Sequence, residues 1–251
     1  MCLLLVQGGD SSFRSIQDAA IDGLIIYSMP RNDGTLRSVS DRALPTVIVD
    51  QPLIPDVPFV GIDNRAASRT CAQHLKELGH ERFGIVSLRL RTDGYRGFVE
   101  PERLGSACFE LSRHRVDGYL DILGESGPNG EVRIWECPCS VEEGTTAGES
   151  LLDLRLPPTA ILAASDRLAI GVIEAARTGG LRIPEDLSVV GFDGIPASEM
   201  IMPRLATANQ PLKEKGRLAI SALLDSKEPL RRMLPTHLVI RGSTTSPTPG
   251  D

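Results

Sequence analysis

The stretch Ser165–Gly194, SDRLAIGVIEAARTGGLRIPEDLSVVGFDG, decides the fold class. Apolar residues recur at helical spacing from Leu168 to Ala176 and predict an amphipathic helix over Asp166–Thr178. Gly179 and Gly180 stop it, and Pro184 follows in the loop beyond. Leu187–Phe192 is then a nearly continuous apolar run, as expected of a strand buried on both faces, and it ends in Asp193. Just upstream, Pro157 and Pro158 precede a similar run, Ala160–Ala163. Strand, helix, strand in this rhythm implies a parallel sheet with right-handed crossovers.

The rhythm extends outward. Cys2–Val6, Gly23–Tyr27, Thr46–Val49, Phe83–Val86 and Val132–Trp135 read as further strands, and Arg65–Leu78, Glu142–Leu154 and Leu212–Leu224 as amphipathic helices. With 251 residues this is an α/β chain of one large domain or two lobes, each with its own core. Arg89–His114 has mixed charge, weak periodicity and Pro101 in its middle, and is expected to be a partly helical insertion. The small, polar tail GSTTSPTPGD is expected to fray.

Composition narrows the function. Hydrophobic residues are 41% and charged residues 24%, an ordinary globular balance. The net charge of -6 argues against this piece alone being held on nucleic acid through phosphate contacts. Cysteines stand at Cys2, Cys71, Cys108, Cys137 and Cys139, an odd number without a regular framework, which points to reduced thiols in a cytoplasmic compartment. MCLLLVQGGD has neither a basic leader nor a small-residue cleavage site, so no signal peptide is expected. No apolar run approaches the roughly 20 residues of a membrane helix, so no membrane partner is expected.

Ligands of open parallel sheets bind outside the carboxyl ends of the strands. Ser165, Asp166 and Arg167 follow one strand and Asp193 ends another, so both sets stand where a ligand would lie. Asp166 has an equal structural reading as a helix cap. Asp63 and Asn64 precede a long helix, and capping alone accounts for them. Cys71, His74 and His80 fall short of the three or four converging ligands a metal needs, and the Cys137-Pro138-Cys139 pair reads as two ordinary thiols. The G-x-S-x-G pattern, the P-loop and the G-x-G-x-x-G fingerprint with its following acid are absent, so no enzyme, cofactor or metal is expected.

Four segments in order resemble the effector-binding core of the LacI/GalR family of bacterial transcription regulators. They are IDGLIIY, VGIDNRAASRTCAQHLKELGHERFGIVS, PPTAILAASDRLAIGVIEAARTGGLRIPEDLSVVGFDG and MPRLATANQPLKEKGRLAISALL. The resemblance implies a two-lobed, periplasmic-binding-protein-like fold that clamps a small effector in the inter-lobe cleft. It divides the chain into an N-terminal lobe of 1–79 plus 210–227 and a C-terminal lobe of 80–209 plus 228–245, with 246–251 as a flexible tail. Asp63 and Asn64 would mark the hinge or cleft edge. Ser165, Arg167 and Asp193 would stand at the mouth of the second lobe. HRVDGYLDIL resembles the family's arginine-x-x-glycine helix start, so Arg115 matches the arginine that holds the effector. Cys139 falls where an aromatic often packs on a sugar ring. Arg115 and Asp193 together suit a sugar or polyol, with the acid accepting and the arginine donating.

Three departures accompany the likeness. The family's DNA-binding helix-turn-helix is not found in the sequence, so operator DNA would be reached only through a separate N-terminal domain. CLLLVQGGD is similar to the family's second strand, so the first strand and helix are expected to be missing, leaving unpaired backbone or an altered sheet pairing. The third is the insertion before Arg115. A homodimeric effector-sensing regulator, a repressor, is the reading the resemblance favours. A periplasmic sugar receptor of the same fold and a doubly wound enzyme stand beside it as alternatives.

Overall fold

The computed structural model describes residues 3–7, 20–31, 33–34, 36, 44–124, 132–224 and 231–248. In chain order the first elements are β1 (Leu3–Gln7), β2 (Gly23–Tyr27), β3 (Thr46–Val49), β4 (Phe59–Ile62), α1 (Asn64–Glu77) and β5 (Phe83–Leu88). Next come β6 (Gly97–Phe98), α2 (Pro101–Gly105), α3 (Glu110–Leu123), β7 (Val132–Cys137), α4 (Val141–Leu152) and β8 (Ala160–Ala163). The chain continues through α5 (Asp166–Thr178), β9 (Ser188–Asp193), α6 (Ala197–Met200), β10 (Ala206–Asn209), α7 (Leu212–Leu224), β11 (Arg231–Leu234) and β12 (His237–Val239).

Two compact units result. The first comprises Met1–Asp63, Cys108–Leu111 and Pro211–Pro235, and the second Asn64–Ala107, Ser112–Gln210 and Thr236–Asp251. The first unit holds a parallel sheet in the order β1-β2-β3-β4-β11. Ala219, Ala222 and Leu223 of α7 cover Val47 and Val49 on one side of it. Leu24, Ile26, Met29, Ile48 and Phe59 form a second apolar cluster in this unit. β1 pairs directly with β2, Leu3 opposite Gly23, so neighbours in sequence are also neighbours in the sheet.

The second unit holds seven strands in the order β12-β10-β9-β8-β5-β7-β6, parallel except for the antiparallel edge strands β12 and β6. Its core gathers Val86, Leu151, Ile161, Ala163, Leu168, Val172, Val189 and Leu205, all fully buried. α4 and α5 meet backbone to backbone: a Cβ on Gly171 would lie 2.1 Å from the Val141 carbonyl oxygen, and one on Gly144 2.4 Å from that of Leu168.

Several expectations change here. The first unit ends at Asp63 rather than 79, because α1 packs on β8, β10 and β12 and buries Ala67, Cys71, Ala72 and Leu75 in the second unit. The later segment of the first unit runs to Pro235, because β11 pairs with β4. The expected tail is docked as far as it is described. Thr245 N–H donates to Ser188 Oγ at 3.0 Å, and Thr248 Oγ1 donates to the Glu185 carbonyl at 3.4 Å. Residues 249–251 lie outside the described residues. The insertion 89–114 contains β6, α2 and the first turns of α3, and Glu136 anchors it. That carboxylate is fully buried, accepts Leu90 N–H at 2.7 Å and is bonded by Arg103 Nε at 2.6 Å.

Candidate functional site

The candidate site of the second unit lies at the C-terminal ends of β7, β8 and β9. Helical phase places Arg115 on it. Arg115 stands one turn into α3, not at the helix start as expected, because α3 already begins at Glu110. Its side chain is only 3% exposed. Burying a guanidinium requires that its donors be met. Nε donates to Asn64 Oδ1 at 2.9 Å, and Nη1 donates to the Ala164 carbonyl at 2.5 Å and to Asp193 Oδ1 at 3.3 Å. Its plane also lies over Phe192, 3.7 Å from the ring centroid, where a cation meets the negative face of the ring.

Asp193 ends β9 with φ of 115°, outside ordinary strand geometry. Its side chain remains 23% exposed, and Gln210 Nε2 donates to its Oδ1 at 2.6 Å. The carboxylate is therefore held from within by Arg115 and Gln210 while part of it meets solvent.

A second group joins the starts of α4 and α5. Ser165 is the N-cap of α5, its hydroxyl accepting Leu168 N–H at 3.2 Å, so the cap role that Asp166 shared in the sequence reading belongs to Ser165. Cys139 Sγ stands 3.2 Å from Ser165 Oγ, one residue before Ser140, the N-cap of α4. Crowding of the sulfur by neighbouring atoms raises the Cys139 thiol pKa, against the lowering effect of the Ser165 hydrogen bond, even though the side chain keeps contact with solvent. The residue itself is exposed.

The structure thus brings together Arg115, Asp193 and Asn64, and separately Ser165 and Cys139. Arg167 is exposed on the first turn of α5, and Asp63 is exposed just before α1. Gln210, Phe192 and the Ala164 carbonyl were not singled out from the sequence. Gln210 offered one signal, a polar residue between a strand end and Pro211. A backbone carbonyl and a ring contact offer none.

Among the described residues, no group of three or more His, Cys, Asp or Glu side chains could hold a metal ion. Cys71, Cys137 and Cys139 are free thiols. No described helix is long and apolar enough to cross a membrane.

Comparison with known proteins agrees with this architecture. The family model of the periplasmic binding protein-like domain matches residues 72–244. An HTH-type transcriptional regulator of Mycobacterium tuberculosis is 35% identical over 98% of this chain and 70% of its own length. The HTH-type transcriptional repressor CytR of Escherichia coli is 34% identical over 96% of this chain and 70% of its own length. Among solved structures, a LacI-family transcriptional regulator of Corynebacterium glutamicum superposes with a TM-score of 0.85 at 34% identity, covering 94% of this chain and 70% of that one. The complex of the transcriptional regulator CelR with cellobiose gives 0.76 at 26% identity, with 94% and 71% covered. These relatives are transcriptional regulators, not enzymes. The chain belongs to the LacI/GalR family of transcriptional regulators and carries its periplasmic-binding-protein-like, effector-binding core.

Proposed function

We propose that this chain is the ligand-sensing part of a cytoplasmic repressor, and that its effector is a small hydroxyl-rich molecule, a sugar or polyol. The observation that carries the reading is the Arg115–Asp193 pair. A buried guanidinium holds a partly solvated carboxylate at the end of a strand, and that carboxylate can accept hydroxyl hydrogens. Phe192 is fully buried beneath Arg115 and offers no open ring face, which favours hydrogen-bonded hydroxyls over a flat stacked ring. Ser165, Arg167 and Cys139 supply further polar contacts in this reading, with Asn64 at the edge of the unit. The CelR–cellobiose complex supports a sugar, and the CytR likeness supports repression.

A ligand that binds one conformer better than another shifts the population toward it, and that difference is the signal. With a net charge of -6, this chain is poorly suited to hold DNA phosphates itself. Operator contact would fall to an N-terminal head, and a homodimer would present two of them to two half-sites.

The test is a thermal-shift screen of sugars, sugar phosphates, polyols and nucleobases on the wild type and on Asp193→Ala. A ligand at about 100 times its dissociation constant adds about 2.7 kcal/mol of stability. A hit lost in the variant supports the site. A hit that stabilises both proteins equally removes Asp193 from it.

A further inference from the structure

Beneath Asp193 lies a carboxyl group that none of the proposed ligand contacts uses. Asp166, the first residue of α5, is fully buried. Its Oδ2 accepts Ile195 N–H at 2.8 Å, and its Oδ1 accepts the Thr207 hydroxyl at 2.6 Å. The same hydroxyl accepts Gly194 N–H at 3.3 Å. These bonds seize the two residues that follow Asp193. Its φ of 115° is a conformation that a non-glycine residue keeps only when its surroundings enforce it. The carboxyl also needs glycine at residue 191, where a Cβ would stand 2.3 Å from Asp166 Oδ1.

We infer that Asp166 is the positioning residue of the ligand site: its ionised carboxylate pins the Asp193–Ile195 turn, and its protonation loosens it. The inference rests on the proposed role of Asp193. Both oxygens of Asp166 receive donors, an arrangement that suits the acceptor-only, ionised form. A proton on Oδ1 would face the Thr207 hydroxyl hydrogen, and that hydroxyl would have to turn and find a new acceptor.

Burial opposes the ionised form, and the nearby charge of Asp193 opposes it further. The Thr207 and backbone hydrogen bonds work the other way, and the balance pushes the carboxyl up to about 7. Other groups around it have their own partners or stay neutral. Arg115 of α3 is paired with Asp193, and burial pushes the Cys71 thiol of α1 to about 12. Arg167, the next residue of α5, is exposed, and Thr207 of β10 brings a hydroxyl without a charge. The carboxyl of Asp166 is thus the group poised to change charge near neutrality beneath the turn.

The test needs no ligand. Backbone amide resonances of Gly194 and Ile195 are followed by NMR from about pH 5 to about pH 9, a range above ordinary carboxylate titration. In the wild type both amides should shift together with a midpoint near neutrality, and the protection factor of the Ile195 amide against hydrogen exchange should fall below it. Asp166→Asn should abolish the shift. Thr207→Val keeps the carboxyl but removes a bond to its charged form, so the midpoint should rise. A flat profile in the wild type, a titration that persists in Asp166→Asn, or an unmoved midpoint in Thr207→Val would each overturn the inference. A failed ligand screen leaves this titration intact, so the two readings fail separately.

Discussion

The guanidinium of Arg115 lies over the ring of Phe192, 3.7 Å from its centroid, and also reaches the carboxylate of the next residue, Asp193, at 3.3 Å. Successive side chains of a strand point to opposite faces. One guanidinium meets both because Asp193 leaves strand geometry at φ of 115°. Arg115→Lys keeps the charge but loses the planar fork and the stacking. It should abolish ligand-induced stabilisation of any compound that the wild type binds, as read by thermal shift. Arg115→Ala should also cost about 2–3 kcal/mol in chemical denaturation, below the ~3–5 of a broken fully buried pair because Asp193 is partly solvated.

In the first unit, Lys215 of α7 and Asp50 form an ion pair whose side chains are only 3% and 2% exposed. Removing one partner strands a buried charge. Lys215→Met should destabilise the protein by about 3–5 kcal/mol. The double variant Lys215→Met/Asp50→Leu should recover only part of that loss: an apolar pair replaces both desolvated charges, but Leu inherits the left-handed φ of 69° at residue 50, a strain of about 1–2 kcal/mol. A double variant as unstable as the single one would show that the pair has a positive value of its own. Urea denaturation of the four proteins of the cycle decides it.

The backbone contact between α4 and α5 makes Gly171→Ala a test of their packing. The added Cβ would meet Val141 O at 2.1 Å and Thr145 N at 2.5 Å, both backbone atoms that cannot swing aside. Despite a gain in helix propensity of about 1 kcal/mol, the substitution should destabilise by about 1–3 kcal/mol net. Gly216→Ala in α7, where nothing stands within 4 Å of the new Cβ, should instead be neutral or stabilising. Thermal melts of the two variants should therefore move apart.

Acid should loosen the C-terminal segment. His80 is bonded to Thr159 Oγ1 and to the Thr245 carbonyl, both at 2.9 Å, and His74 to Thr244 Oγ1 at 3.0 Å. Burial lowers both histidine pKa values below 6.5, against the raising effects of the Thr245 carbonyl on His80 and of Glu77 on His74. The folded state holds the neutral rings more strongly than the unfolded chain does. Their stabilisation is therefore full above 6.5 and is lost as pH falls through the lowered folded-state values. The protection factor of the Thr245 amide against hydrogen exchange should fall below that pH in the wild type. His80→Gln should flatten this dependence.

Much of both units was legible in the chain. α5 and α7 fall at Asp166–Thr178 and Leu212–Leu224, and β2, β3 and β8 have the bounds that their apolar runs indicate. Those elements carry a strong period or an unbroken apolar run. β10 reads ATAN and β11 reads RRML, the latter almost wholly exposed, and neither has such a pattern. Only pairing with β9 and with β4 makes them strands.

The site divides in the same way. From local pattern alone, Ser165, Arg167 and Asp193 could be named as polar groups at strand ends and helix starts, because such a pattern places an element's termini, whereas Arg115 was named only through the family resemblance. Which of them meet was decided by tertiary structure: Arg115 with Asp193 and Asn64, Ser165 with Cys139, and Asp166 drawn inward to Thr207 and Ile195. The physical reason is range. Helical and strand periodicity are properties of neighbouring residues, whereas a buried charge is satisfied by whatever donors and acceptors the folded sheet carries to it from elsewhere in the chain.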